Sequence, residues 1–222
     1  MRHRPLRLLI SAGPTREPLD PVRFLSNYST GFMGFQLARE AIRRKHRVTV
    51  VCGPTIERMP PKAKVVAVET ARQMLKAMRR LSPQADAIIM AAAVSDYEPV
   101  RAAKAKIKRG GRMVLVLKAT PDIVGQLPRR TGQIVAGFAL ETENVLTRAK
   151  AKLRKKRLDL ILAQNGKAGQ GPFGRNSLQA WLIERKGKTT ALGQAAKPAV
   201  ARLLLDNVEA LWYHQRGLSR PS

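Results

Sequence analysis

The sequence predicts an α/β protein: a doubly wound, Rossmann-like sheet, mostly parallel, with helices on both faces. Three observations carry that expectation. Apolar runs of strand length recur between amphipathic stretches of helix length. One run, Ala87 to Ala92, is apolar throughout, as a central strand covered on both faces must be. The unusual loops follow strands, where ligands of such sheets bind.

Leu6 to Ser11 predicts the first strand, which stops at Gly13-Pro14. Residues 31–45 predict a helix with Phe35, Ala38 and Ile42 on one stripe and Arg43 and Arg44 outside it. Arg47 to Cys52 reads as a strand closed by Gly53-Pro54, and the proline-rich stretch 54–62 as a loop. Lys64 to Val68 is a third strand, and Thr70 can cap a helix running to about Leu81. After the Ala87 to Ala92 strand comes a long polar loop, 93–111, then a strand at Met113 to Leu117. Thr120-Pro121 predicts a helix start, with Thr120 at the N-cap and Pro121 at the first helical position. Ile134 to Ala139 is a strand, 143–157 a helix, Leu158 to Ala163 a strand, 165–177 a Gly/Asn loop, Leu178 to Ile183 a strand and 196–214 the last helix. No repeat or low-complexity linker interrupts the pattern, so residues 1–222 read as a single domain.

Composition narrows the function classes. The single cysteine, Cys52, excludes an intrachain disulfide and a cysteine-rich zinc module. Three histidines without an HExxH pattern argue against a zinc hydrolase. No apolar run approaches the roughly 20 residues of a membrane span. The short apolar stretch near the basic N-terminus runs straight into motif residues, which argues against a signal peptide. A cytoplasmic enzyme or a basic binding protein is expected. The formal net charge is +27, from 42 Lys and Arg against 15 Asp and Glu. Two segments are densest in cations, 101–118 and 148–157, and seven of the ten residues in the latter are Lys or Arg. Solvated faces explain many such runs, and a nucleic-acid partner is the other simple reading. No aromatic residue is interleaved in either run, which counts against a platform for stacking single-stranded bases.

The loop after the first strand runs Ser11-Ala12-Gly13-Pro14-Thr15-Arg16-Glu17-Pro18-Leu19-Asp20-Pro21-Val22-Arg23-Phe24-Leu25-Ser26-Asn27-Tyr28-Ser29-Thr30-Gly31-Phe32-Met33-Gly34. It contains neither GxGxxG nor a Walker A pattern, which argues against an NAD(P)-type dehydrogenase on the same sheet. It still has the makings of an anion site. Ser29, Thr30 and Gly31 precede a helix, whose free N–H groups and positive end can hold a phosphate.

This string resembles the opening of the phosphopantothenoylcysteine synthetase (phosphopantothenate–cysteine ligase) family. The resemblance continues in order through AAAVSDYEP at 91–99, KIKR at 106–109, TPDIV at 120–124, AGFALET at 136–142, AKAKLRKKRLDLILA at 149–163 and the Asn-containing loop near 165–176. It covers essentially the whole chain. In many bacteria such a domain follows a flavin-dependent decarboxylase. Here none precedes Met1, so a stand-alone synthetase without flavin is expected.

The resemblance implies a two-step reaction. The carboxylate of 4′-phosphopantothenate and CTP form an acyl-cytidylate and release pyrophosphate. The amine of L-cysteine then displaces CMP. Mg²⁺ is expected on the triphosphate, ATP is the alternative nucleotide, and a homodimer is the family's usual state. The implied roles follow residue by residue. Asn27 contacts the intermediate, and Arg23, Ser29, Thr30 and Gly31 join it in substrate binding. Met90, Ala91, Ala92 and Asp96 line the nucleotide site, with Pro121, Asp122, Ile123, Val124 and Phe138. Lys152 and Lys156, four apart and so on one helix face, bind the triphosphate. Lys106 belongs to the nucleotide site as well and supports the second half-reaction from a loop that closes over the anhydride. The chain departs from the family at Phe32, where many members carry Lys. It departs again at Ala163-Gln164-Asn165, where the family Ala-Asn leaves two candidates for one asparagine. Cys52 is expected in the core, because the reacting cysteine is substrate.

Overall fold

The computed structural model describes residues 4–166 and 173–218. Twelve strands and four α-helices are present among them: β1 Arg7–Ala12, β2 Arg16–Asp20, β3 Arg23–Ser26, α1 Phe32–Arg43, β4 Arg47–Cys52, β5 Lys64–Ala67, α2 Ala71–Leu81, β6 Ala87–Met90, β7 Tyr97–Pro99, β8 Leu117–Ala119, β9 Ile134–Glu141, α3 Val145–Lys155, β10 Leu160–Asn165, β11 Leu178–Glu184, β12 Thr189–Ala195 and α4 Lys197–His214.

Eight strands form one sheet in the order β12-β11-β10-β9-β6-β1-β4-β5. The six from β5 to β10 are parallel, and β11 and β12 extend them antiparallel. Counted among themselves, the parallel strands follow the 3-2-1-4-5-6 order of doubly wound folds, with the switch point between β1 and β6. Two apolar layers cover the sheet. On one face α1 and α4 pack Met33, Leu37, Ala41, Leu204, Val208 and Trp212 over Ile10, Val50 and Ile89. On the other, α2 and α3 pack Met74, Met78, Ala149 and Leu153 over Leu9, Ile88 and Ile161. Each buried Leu, Ile or Met of these layers contributes about 2 kcal/mol.

Local chemistry explains the element ends. Thr70 caps α2 as expected: its hydroxyl accepts from Gln73 N–H at 3.2 Å, and the Gln73 side chain accepts in return from Thr70 N–H. Gly34 lets α1 lie close to β1, since a Cβ there would fall 2.4 Å from that of Ala12. The buried stripe of α1 is shifted from the expected one. Met33, Leu37, Ala38 and Ala41 face the core, while Phe35 and Ile42 flank it. Arg44 is not an outward cation. It bonds Glu40 at 2.8 Å, Asp206 at 2.9 Å and Glu209 at 3.0 Å, and so joins the end of α1 to α4.

Four expectations are corrected. The loop after β1 folds in part as a hairpin, β2 against β3, because Asp20 caps its turn by accepting from Val22 and Arg23 N–H. The loop 93–111 contributes β7, which pairs with β8, so the strand expected at Met113 to Leu117 begins only at Leu117. No α-helix starts at Thr120-Pro121. Thr120 donates to the Ser95 carbonyl at 2.6 Å, Asp122 accepts from Gly125 N–H, and only a short 3₁₀ turn, Val124–Gln126, forms before Pro128. The strand β12, polar and exposed at alternate positions, carries too weak an apolar signal to be read from the sequence. Part of the 165–177 loop, residues 167–172, lies outside the described residues.

Candidate functional site

A cavity of about 790 Å³ opens at the carboxyl ends of the parallel strands, over the switch point. The crossing of the loops after β1 and β6 builds its floor. Pro14 bridges Ala93, Ala93 N–H donates to Gly13 O at 2.9 Å, and Ala92 N–H donates to the buried Ser11 hydroxyl at 3.2 Å. Small side chains at Ala91 to Ala93 leave the backbone open to a ligand.

Nearly every expected site residue meets here. Asn27 lines the cavity and donates through Nδ2 to Ala93 O at 3.0 Å, which leaves its side-chain oxygen free as an acceptor. Ser29, Thr30 and Gly31 line it at the start of α1, where Gly31 takes a φ of 81° and no side chain caps the helix. Met90, Ala91, Ala92 and Asp96 contribute the edge after β6. Pro121, Asp122, Ile123 and Val124 line the cavity from the 3₁₀ turn and its approach, so the site uses them without the expected helix. Phe138 is a half-buried wall residue on β9.

The cations are unequal. Lys152 and Lys156 line the cavity from α3, while Arg148 pairs with Glu141 at 3.5 Å and stays off its wall. Burial draws the Lys152 ammonium below the usual lysine range, against the pull of Glu141 and Asp96. Lys156 donates to Asp122. Burial raises the pKa of that carboxyl, but Lys156, Gly125 N–H and Lys155 bring it below the ordinary range. The Asp96 carboxylate has no hydrogen-bond partner among the described residues. No group of three or more His, Cys, Asp or Glu side chains among them could hold a metal ion, so these residues do not form a protein cage for Mg²⁺.

Two expected residues stand apart. Arg23 is clamped to Asp20, donating to it through Nε at 2.9 Å and also through Nη2, and it donates to Ile107 O at 2.8 Å. Asp20 accepts from Ile107 N–H in turn. This clamp ties residue 107 to the hairpin, and exposed Lys106 beside it does not line the cavity in this structure.

The family model for the DNA/pantothenate metabolism flavoprotein C-terminal domain matches residues 4–211. The chain belongs to that family. A crystal structure of the C-terminal domain of the coenzyme A biosynthesis bifunctional protein CoaBC is similar at TM-score 0.76 and 34% identity, covering 91% of this chain and 93% of that one. CoaBC of Escherichia coli K12 is 38% identical over 209 residues, 91% of this chain and 51% of that protein. A protein of an unknown prokaryotic organism, named cysteine/cysteine sulfinic acid decarboxylase, is 37% identical over 92% of this chain and 58% of its own length. The chain spans about half the length of the curated relatives it matches, so their names describe longer proteins.

In this member of the pantothenate metabolism family, the cavity also decides between the two candidates left open at the end of β10 and adds residues that the sequence reading did not place in the site. Gln164, not Asn165, lines the cavity from β10. The Asn165 side chain donates to Gln179 at 3.1 Å instead. Phe32, Phe173 and Gly174 close the end near α1. Lys197 reaches the same end from the first position of α4, only 4% exposed, and donates to Gly174 O. A signal for Lys197 was present in the sequence: a cation at a helix start opposes the helix dipole and calls for a compensating anion.

Proposed function

We propose that the chain is a phosphopantothenate–cysteine ligase of coenzyme A biosynthesis, using CTP. A carboxylate oxygen of 4′-phosphopantothenate attacks the α-phosphorus of CTP, and the bond to the leaving pyrophosphate breaks. The amine of L-cysteine then attacks the acyl carbon, CMP leaves, and the amine gives up its proton as the amide forms. The observation that carries this reading is the convergence of Asn27, Asp96, Phe138, Lys152 and Lys156 on one cavity at the sheet's switch point.

The residues divide the work between anion neutralisation and orientation. Lys152 and Lys156 offset the triphosphate charge, which would otherwise repel the attacking carboxylate. Asp96 accepts from ribose hydroxyls or from the cytosine amino group. The free Asn27 acceptor, together with the N–H groups of Ser29 and Thr30, orients the acid for attack. Mg²⁺ belongs to the proposal as a companion of the nucleotide phosphates. Lys106 is proposed to act in the second half-reaction by closure of its loop.

The proposal extends to a homodimer and to cytoplasmic residence. Exposed Val22, Phe24, Tyr97, Val114 and Val116 on and around the two small antiparallel strand pairs supply apolar surface for a second copy. No helix among the described residues is long and apolar enough to cross a membrane.

The test mixes the protein with 4′-phosphopantothenate, L-cysteine and either CTP or ATP. Pyrophosphate release is followed together with product mass. Pyrophosphate and phosphopantothenoylcysteine are expected with CTP. Product with ATP alone overturns the nucleotide assignment, and release of neither overturns the ligase reading. Lys106→Gln is expected to reduce product more than pyrophosphate. Equal losses remove Lys106 from the second step.

A further inference from the structure

The amino ends of the parallel strands form the rim opposite the cavity. The helices α1, α2 and α3 each lead from the carboxyl end of one parallel strand to the amino end of another, so all three end at this rim. The last helix, α4, runs from the cavity to the loop before β9, where Arg216 donates to Gly132 O at 3.0 Å.

Cations crowd these four ends. The turn from α1 to β4 exposes Lys45 and Arg47, and the last turn of α2 exposes Arg79 and Arg80. The end of α3 exposes Arg154, Lys155 and Arg157, and the turn between β11 and β12 exposes Lys186. None of these side chains has a hydrogen-bond or ion-pair partner among the described residues. The carboxylates at this rim are already paired. Glu40 meets Arg43 at 2.7 Å, Asp86 meets Arg7 at 3.0 Å, Asp159 meets Arg185 at 3.2 Å and Glu184 meets Lys188 at 3.9 Å.

Bonds to backbone fix the helix ends side by side. Ser82 Oγ, just after α2, donates to Pro128 O at 3.2 Å. Arg129 then reaches Lys156 O and Arg157 O at the end of α3. Cations with satisfied donors therefore tie the rim together, and the free ones are held at close quarters. Their repulsion is felt: partial burial, with Arg185 and Arg157 against the pull of Asp159, draws the Arg129 pKa below its ordinary range. Four negative helix ends amount to only about −2 in charge, which leaves most of the free cations without a counter-charge.

The surroundings select the occupant. The exposed Phe and Tyr side chains among the described residues, Phe24, Tyr28 and Tyr97, lie in the segments that follow the carboxyl ends of strands, so this rim has no platform for stacking single-stranded bases. Of the exposed large apolar residues only Val65 and Leu218 lie near it, too few to enter a lipid surface. All four helices end in the rim and none lies across it, so none is presented to a major groove. From Arg47 before β4 to Lys186 beyond β11 the rim crosses six adjacent strands, about 24 Å at ordinary strand spacing. That is about seven base steps of a duplex.

We propose that this rim docks the phosphate backbone of double-stranded RNA, across its wide, shallow minor groove, and leaves the cavity at the other rim open. The proposal stands apart from the ligase reading.

The experiment measures binding of an RNA duplex of about 20 base pairs by fluorescence anisotropy over a salt series. The DNA duplex, the single-stranded RNA and polyglutamate serve as alternative ligands. The proteins are wild type, Arg79→Gln with Arg80→Gln, Lys45→Gln with Arg47→Gln, and a control pair, Arg101→Gln with Lys104→Gln, from the exposed loop after β7. Each rim pair is expected to weaken RNA binding roughly 3- to 10-fold and to lower the slope of log affinity against log salt by about 2. The control pair, with the same loss of charge, should change affinity less than about twofold. Pyrophosphate release by the rim variants should match wild type. The two rim pairs lie on different elements, and either carries the test should the other fail to fold. Equal losses in rim and control pairs overturn the proposal, because charge then acts without regard to place. So does an absence of binding at about 150 mM salt. DNA duplex, single strand or polyglutamate bound as tightly as the RNA duplex overturns the choice of occupant. A wild type that binds RNA through the rim yet releases no pyrophosphate with any nucleotide overturns the ligase reading alone.

Discussion

The two rims of the central sheet are both crowded with cations, yet they use them differently. At the carboxyl-end rim, Lys152, Lys156 and Lys197 face an open cavity with hydrogen-bonding capacity left over. At the opposite rim, Arg129, Arg130, Arg157 and Arg185 surround a smaller cavity of about 260 Å³. There the guanidinium groups of Arg129, Arg130 and Arg185 are engaged with backbone. Arg129 donates to Arg157 O and Lys156 O, both at 2.7 Å. Arg185 donates to Leu158 O at 2.9 Å and pairs with Asp159, and Arg130 donates to Ala85 O at 2.9 Å. The difference teaches that positive charge alone does not mark a site. A cation whose donors already satisfy the carbonyls at the end of α3 is a structural tie. A cation that lines a cavity with donors to spare is available to a ligand.

That contrast can be broken by substitution. The largest effect is expected at the cavity: Lys156→Met should raise KM for the nucleotide roughly 10- to 100-fold with little loss of stability. Initial rates against nucleotide concentration, alongside a urea titration, check both halves. The contrast fails if stability falls as steeply as affinity. Arg129→Met should do the reverse, costing about 0.5–1.5 kcal/mol of stability through the hydrogen bonds it makes to the carbonyls at the end of α3. Urea unfolding measures that loss, and a change in KM without one would reassign Arg129 to the site.

Acid should act on the structural ties first. Glu40 is held down to about 2, chiefly by hydrogen bonding to Arg43 and then Arg44, against burial. Its folded pKa lies below the unfolded value, so its contribution is present above about pH 4.5 and is lost as pH falls toward 2. Unfolding midpoints between pH 6 and 2.5 should decline, and Glu40→Gln should flatten that decline. The smallest effect concerns Cys52, whose thiol burial pushes up to about 11. Its contribution is present below pH 9 and is lost as pH rises toward 11. Alkylation of the native protein at pH 8 should be slow and should become fast only in denaturant, with activity unchanged until then. Rapid labelling of the folded chain would contradict the buried placement.

Legibility followed the strength of the local signal. Thr70 with Gln73, the fully apolar β6 and the i, i+4 pair Lys152 and Lys156 could be read directly, because each is stated within a few residues. The stripe of α1 was misplaced because Phe35 and Ile42 are as apolar as the residues that face the core. Only the docking of α4, with its Arg44 contacts, decides the rotation of the helix. The 3₁₀ turn after Thr120 was read as a helix because Thr-Pro opens both. The Ser95 carbonyl, distant in sequence, captures the hydroxyl that would have capped a helix. Lys197 was read only as part of a helix start, because its burial and its place on the cavity wall are invisible in one dimension.

The order of the six parallel strands and the four long helices and the excess of cations were determined by sequence alone, since periodicity and capping act over a few neighbouring residues. Which cations face the cavity and which bind carbonyls was decided only by the tertiary structure. Hydrogen-bond satisfaction and desolvation depend on partners that the chain brings together from far apart.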